Sequence, residues 1–231
     1  MPLHEGHRER LKKRFLQDGL DGFNDIQALE LLLFYCIPRK DTNVLAHALL
    51  DRFGTFDQVL DATVEELQQV PGIGENAAAF LSLISATGRY YQMSKAKNIT
   101  VLQTIDQCGK YLCAFFKSRR NEMVYLLCLD AKCGVLGCKL ISEGSVNSAS
   151  VSARKVVEVA LATNATSVIL AHNHPSGVAL ASDEDKQTTQ RIAAALDMVG
   201  IELVDHLVVA DDEFVSIRQS GYYYPSSMRE W

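Results

Sequence analysis

The chain has 231 residues, 48% of them hydrophobic and 22% charged, with a formal net charge of −5. Such a chain can bury one large core or two small ones without a disulfide framework or a structural metal. Its acidic balance is the reverse of the basic excess expected of a dedicated nucleic-acid binder.

The first ninety residues read as helices alone. Segments 5–16, 25–36, 42–53, 64–70 and 75–93 each space apolar residues at intervals of three and four. Start signals precede three of them: Asn24, Asp41, and Thr63 with Glu66 three positions on. Gly19, Gly22, Gly54 and Gly72 supply the breaks. Residues 4–14, HEGHRERLKKR, form a basic stretch, and Lys117, Arg119 and Arg120 form a second. Both suit either phosphate contact or solvated helix ends.

From residue 94 the texture changes. SKAKN (94–98) opens a polar linker, placed over 94–103, between a helical domain over 1–93 and a second domain over 104–231. A helix over 104–116 is followed by an apolar strand over 123–130 and a hairpin partner over 135–142, turning at 131–134. A helix over 153–163 leads into a buried strand over 167–172. A further helix over 183–199 leads into a strand over 201–210, and a short strand over 214–217 closes the pattern. Strands alternating with helices imply an α/β domain, its mixed sheet covered on both sides, behind an all-α domain. Residues from Gly221 onward read as a surface tail.

No apolar run approaches the ~18 residues that cross a bilayer, and the N-terminus shows no leader-like apolar stretch. A cytoplasmic protein is therefore expected, and its six cysteines read as reduced thiols. Cys108/Cys113 and Cys133/Cys138 share a C-x4-C spacing, wider than the C-x2-C of zinc ribbons and with no histidine nearby. They read as small core residues.

The densest chemical signal is AHNHPSGVALASDED, residues 171–185. His172 and His174 lie two apart at a strand end, so their rings share a face. Ser182 is placed to cap the next helix, with Asp185 in its first turn. Two imidazoles and a carboxylate match a catalytic zinc site, in which three protein ligands leave a fourth position open for water. One zinc per chain is expected. Asp183 and Glu184 read only as helix-dipole partners.

His172, His174, Ser182 and Asp185 reproduce the spacing of the JAMM (MPN+) metalloproteases, H-x-H, seven residues, Ser, two residues, Asp. The chain more closely resembles the bacterial RadC family of such proteins, through HNHPSG (172–177), VNS (146–148), GIELVDHLVV (200–209) and the helical first half. The resemblance implies a cytidine-deaminase-like sandwich and zinc-dependent hydrolysis of an amide or isopeptide bond in a peptide substrate. It places the catalytic base at Glu122, opening the strand NEMVYLLCLD; Glu143 is the rival. It also gives the Ser182 hydroxyl a bond to the attacking water or the developing oxyanion. Of Asp205 and His206, which face opposite ways on an alternating strand, at most one can support the site; neither joins the ligand set. Where the family commonly carries His-Pro-Arg-Glu at the start of the helix before the metal strand, this chain has Ser152, Ala153, Arg154 and Lys155.

VPGIGENAA, residues 70–78, resembles a helix-hairpin-helix, whose N–H groups at the following helix start could hold a DNA phosphate. Gly72, Ile73 and Gly74 fit equally an αα-corner that binds nothing. The competing function is thus a DNA repair or recombination accessory, contacting DNA through Gly72, Gly74 and the basic N-terminus, or a DNA-directed metallonuclease.

Overall fold

A computed structural model describes residues 5–38, 40–96, 100–144 and 151–225. The chain falls into two compact units, Met1–Gly88 and Arg89–Trp231.

The first unit holds α1 (Glu5–Asp18), α2 (Asp25–Cys36), α3 (Thr42–Phe53), α4 (Phe56–Asp61), α5 (Val64–Gln68) and the opening of α6 (Glu75–Ala96). Asn24 and Thr63 form capping boxes with Gln27 and Glu66, and Asp41 accepts from Asn43 N–H. Each satisfies donors that the first helical turn leaves without partners. Leu29, Leu33, Leu49, Leu67 and Leu81 are fully buried and make the core. The helix α4 has no counterpart in the sequence reading: at six residues it is too short for a 3.6-residue period to show. Helix α6 runs to Ala96, so the first three residues of the expected linker are helical.

The second unit is built on a five-stranded sheet of order β2-β1-β3-β4-β5. Its strands are β1 (Met123–Leu129), β2 (Val135–Glu143), β3 (Ser167–Asn173), β4 (Glu202–Ala210) and β5 (Glu213–Ser216). Only β3 and β4 run parallel; the other neighbouring pairs are antiparallel. The parallel pair requires a crossover, which α9 (Asp183–Asp197) supplies.

Strand alternation sends Val124, Leu126, Val168 and Leu170 to one face, where they pack with Val156 and Ala160 of α8 (Ala153–Ala162) and Ile192 and Leu196 of α9. Tyr125, Leu127, Ile169 and Ala171 go to the other, against Tyr111, Leu112 and Phe115 of α7 (Ile105–Phe116). Leu126, Leu127, Ile169 and Leu170 are almost wholly buried, as a strand covered on both sides requires. The expected mixed sheet with two helical covers behind a helical region is what the chain forms. No described helix is long and apolar enough to cross a membrane. VNS (146–148) and the end of the expected tail (226–231) lie outside the described residues.

Helix α7 approaches β5 closely through Gly109: a Cβ there would stand 2.3 Å from the Phe214 ring. Alanine in a helix interior ordinarily gains ~1 kcal/mol over glycine. Here overpacking reverses the sign, and Gly109→Ala is expected to lose ~1–3 kcal/mol. A lowered denaturant midpoint is the expected reading; a raised midpoint would contradict this packing.

Candidate metal centre

The site forms at the carboxyl end of β3, where the chain turns towards α9. His172 pairs with Val124 of β1 and shares the face of Val168 and Leu170, under α8 and α9. His174 follows the strand, its N–H donating to Val209 C=O of β4 at 2.8 Å. Asp185 lies in the first turn of α9, where the helix dipole favours a carboxylate.

These three side chains converge. His172 Nε2 lies 3.0 Å from His174 Nε2 and 3.2 Å from Asp185 Oδ1, and His174 Nε2 lies 3.7 Å from Asp185 Oδ2. Three ligands of a tetrahedral zinc, each at about 2.0–2.1 Å, would stand ~3.3 Å apart, so the triangle has the right size. The second nitrogen of each ring is engaged elsewhere: His172 Nδ1 with His206 Nε2 at 2.8 Å, His174 Nδ1 with Val178 C=O at 3.1 Å. What remains on the inside is two imidazole nitrogens and a carboxylate, with His172 and Asp185 buried. Electron pairs gathered in this way call for a cation between them. Among the described residues, His172, His174 and Asp185 are the group that could hold a metal ion.

Ser182 organises the carboxylate. Its hydroxyl accepts from Asp185 N–H at 3.1 Å and donates to Asp185 Oδ2 at 2.7 Å, while its own N–H donates to the same oxygen at 2.8 Å. Burial pushes Asp185 up, but bonds to His172 and Ser182 outweigh it and hold the carboxyl well below the usual range. The Ser182 proton thus lies on the Asp185 carboxylate, and the hydroxyl caps α9 as its position at the helix start requires.

Glu122 precedes β1 and is half-buried. Its carbonyl accepts from Gly144 N–H at 2.9 Å, extending the β1–β2 ladder by one residue. Standing two residues before Val124, it falls by alternation on the face of His172. Glu143 pairs with Met123, which belongs to the α7 side, so cross-strand geometry turns it from the site.

Three residues of this neighbourhood were not assigned a role from the sequence. Asn173, between the two histidines, accepts from Met123 N–H at 2.7 Å and donates to Asn121 C=O at 3.1 Å, gripping the backbone on both sides of Glu122. His206 is the member of the Asp-His pair that reaches the site, and burial drives its imidazole well below the ordinary value, with His172 adding to the effect. Thr189 of α9 stands behind it, its hydroxyl 2.6 Å from His206 Nδ1. Only the Asp-His pair left a signal in the sequence. Asp205 instead accepts from Ser216 Oγ and from the N–H groups of His206 and Arg218, tying β4 to the end of β5. Ser152 caps α8 and Lys155 Nζ donates to Ile141 C=O, so the chain's departure at 152–155 is absorbed into structure.

Among the described residues the cysteines form no group of three that could hold a metal ion. Burial pushes the Cys108 and Cys113 thiols up to about 11 and raises those of Cys128 and Cys138, keeping them protonated.

In the first unit Gly72, at φ +97°, turns the chain into α6, where Gly74 C=O accepts from Ala77 and Ala78 N–H. Residues 42–79 carry six carboxylates, Asp51, Asp57, Asp61, Glu65, Glu66 and Glu75, against a single lysine or arginine, Arg52. Arg8 of α1 donates to the carbonyls of Ile37 and Pro38.

Residues 102–222 match the RadC-like JAB domain, and residues 42–79 match the SAM-like helix-hairpin-helix tandem. A UPF0758 protein of Fusobacterium nucleatum subsp. nucleatum is 33% identical over 225 residues, covering 94% of this chain and 97% of its own. A UPF0758 protein of Ruegeria pomeroyi is 36% identical over 216 residues, covering 94% and 96%.

Zinc-loaded, desalted protein should retain about one ion per chain. His172→Ala, His174→Ala and Asp185→Ala should each fall to the level of an unloaded control, while Cys108→Ser keeps its metal. Undiminished zinc in His172→Ala would overturn that ligand.

Proposed function

The chain belongs to the RadC-like JAB domain family, within the JAB/MPN metallohydrolase superfamily, and on that premise we propose that it is a zinc-dependent hydrolase of amide or isopeptide bonds. The observation that carries this reading is the convergence of His172 Nε2, His174 Nε2 and the Asp185 carboxylate, each imidazole's other nitrogen being engaged away from the centre. A divalent cation held there would supply the Lewis acidity that makes water a nucleophile near neutral pH. Two imidazoles and one carboxylate, without a thiolate, are a catalytic rather than a structural zinc set.

The chain's own residues do the rest. Glu122 takes the proton from the attacking water and returns it to the leaving amine, general acid–base help worth ~10²–10⁴-fold. Asn173 fixes that glutamate through the two peptide groups beside it. Ser182 keeps Asp185 turned to its partners and, at the start of α9, ties the site to the fold.

The helix-hairpin-helix match supports a second reading, in which the first unit contacts DNA, as befits a family associated with DNA repair. Backbone N–H groups at the start of α6 would meet the phosphate. The carboxylates over 42–79, with Glu75 in the first turn of α6, oppose it and favour the hydrolase.

The deciding experiment presents labelled peptide, isopeptide and single-stranded DNA to the wild type and Glu122→Gln. Amide cleavage is expected, reduced ~10²–10⁴-fold by the substitution with zinc retained. Cleavage of DNA alone would remove the amide substrate from the proposal and leave the centre standing. Asn173→Ala should retain zinc yet lose activity on the order of 10²-fold through misplacement of Glu122. Full activity in that variant would show that the grip on the backbone is dispensable.

A further inference from the structure

The cluster behind the metal centre has a direction, which follows from counting protons. Thr189 Oγ1 lies 2.6 Å from the Asp185 carbonyl oxygen and 2.6 Å from His206 Nδ1. A hydroxyl has one proton and a carbonyl can only accept, so that proton goes to Asp185 C=O. His206 Nδ1 must then carry the hydrogen of its contact with Thr189. In a neutral ring this leaves His206 Nε2 bare, as the acceptor of the 2.8 Å contact with His172 Nδ1. His172 therefore carries a hydrogen on Nδ1, which makes Nε2 the nitrogen that faces His174 and Asp185.

We propose that Thr189 and His206 are positioning residues that hold a hydrogen on His172 Nδ1, so that Nε2 is the nitrogen left to meet a cation in the site. The relay is buried throughout: Thr189 is 0% and His206 1% exposed, so water cannot substitute for either partner. It also returns to its starting point. The carbonyl that takes the Thr189 proton is that of Asp185, whose carboxylate closes the other side of the site. One turn of α9 thus sets the orientation of a ligand it carries and of a ligand on β3. His174 is fixed separately by Val178 C=O, so the relay governs one imidazole only.

The inference rests on the metal reading for its purpose, and not for its geometry. Its test uses metal-free protein with ¹⁵N-labelled histidine at about pH 8.5, where ordinary imidazoles are neutral. Long-range proton–nitrogen correlations report which nitrogen of each ring bears hydrogen. In the wild type His206 should appear as the Nδ1–H tautomer and His172 should bear hydrogen on Nδ1. Thr189→Val, close in shape but without the hydroxyl, should turn both rings into tautomer mixtures and weaken zinc binding ~10–100-fold in chelator competition. Thr189→Ser should restore both properties. A wild-type His206 bearing hydrogen on Nε2 would overturn the relay, as would a folded Thr189→Val variant with the wild-type His172 tautomer. Because the tautomer measurement needs no metal, it decides the relay even where zinc titration overturns the metal reading.

Discussion

An imidazole has two nitrogens, and in this protein both nitrogens of His172 are committed: one to His206 behind it, the other to the space shared with His174 and Asp185. A ring held at both ends cannot turn, so the site is a fixed geometric object rather than a set of side chains that happen to be close. The parallel crossover makes this arrangement available. Strand β3 delivers the two histidines at its carboxyl end, α9 returns across the same face with Asp185 in its first turn, and β4 brings His206 alongside. Clefts at the carboxyl ends of parallel strands are where open α/β sheets usually hold ligands, because the connecting chain leaves the sheet there.

The same contacts serve stability and chemistry. Ser182 satisfies the open end of α9 and orients the Asp185 carboxylate with one set of bonds. Asn173 satisfies backbone groups at the sheet's end and holds the chain on both sides of Glu122, the proposed base. This economy means that disturbing the cap or the clamp should affect the fold and the site together.

Much of this was legible in the sequence because its signals are local. The strands and the longer helices show in their apolar spacing, and His172, His174 and Asp185 stand out because ligand spacing lies within one turn-forming segment. What stayed hidden depends on tertiary placement. Thr189 looks like any helical threonine until β4 is laid beside α9. Asn173 looks like a spacer between histidines until β1 is paired with β3. His206 was half-visible: at most one member of the Asp-His pair could support the site, but β4 is irregular there. Leu203 and Leu207 lie on opposite faces although simple alternation would place them together, because the β3–β4 register slips between Val168 and Ile169. Helix α6 continues through Ser94, Lys95 and Ala96 because neither glycine nor proline interrupts it; their polarity alone reads as a linker.

The most direct test of the centre is X-ray absorption at the zinc edge of the loaded protein. Light-atom scatterers at about 2.0–2.1 Å, with the multiple-scattering pattern of two imidazoles and no sulfur, are the predicted result. A sulfur shell near ~2.3 Å would instead assign the metal to the cysteines and contradict the centre built from His172, His174 and Asp185.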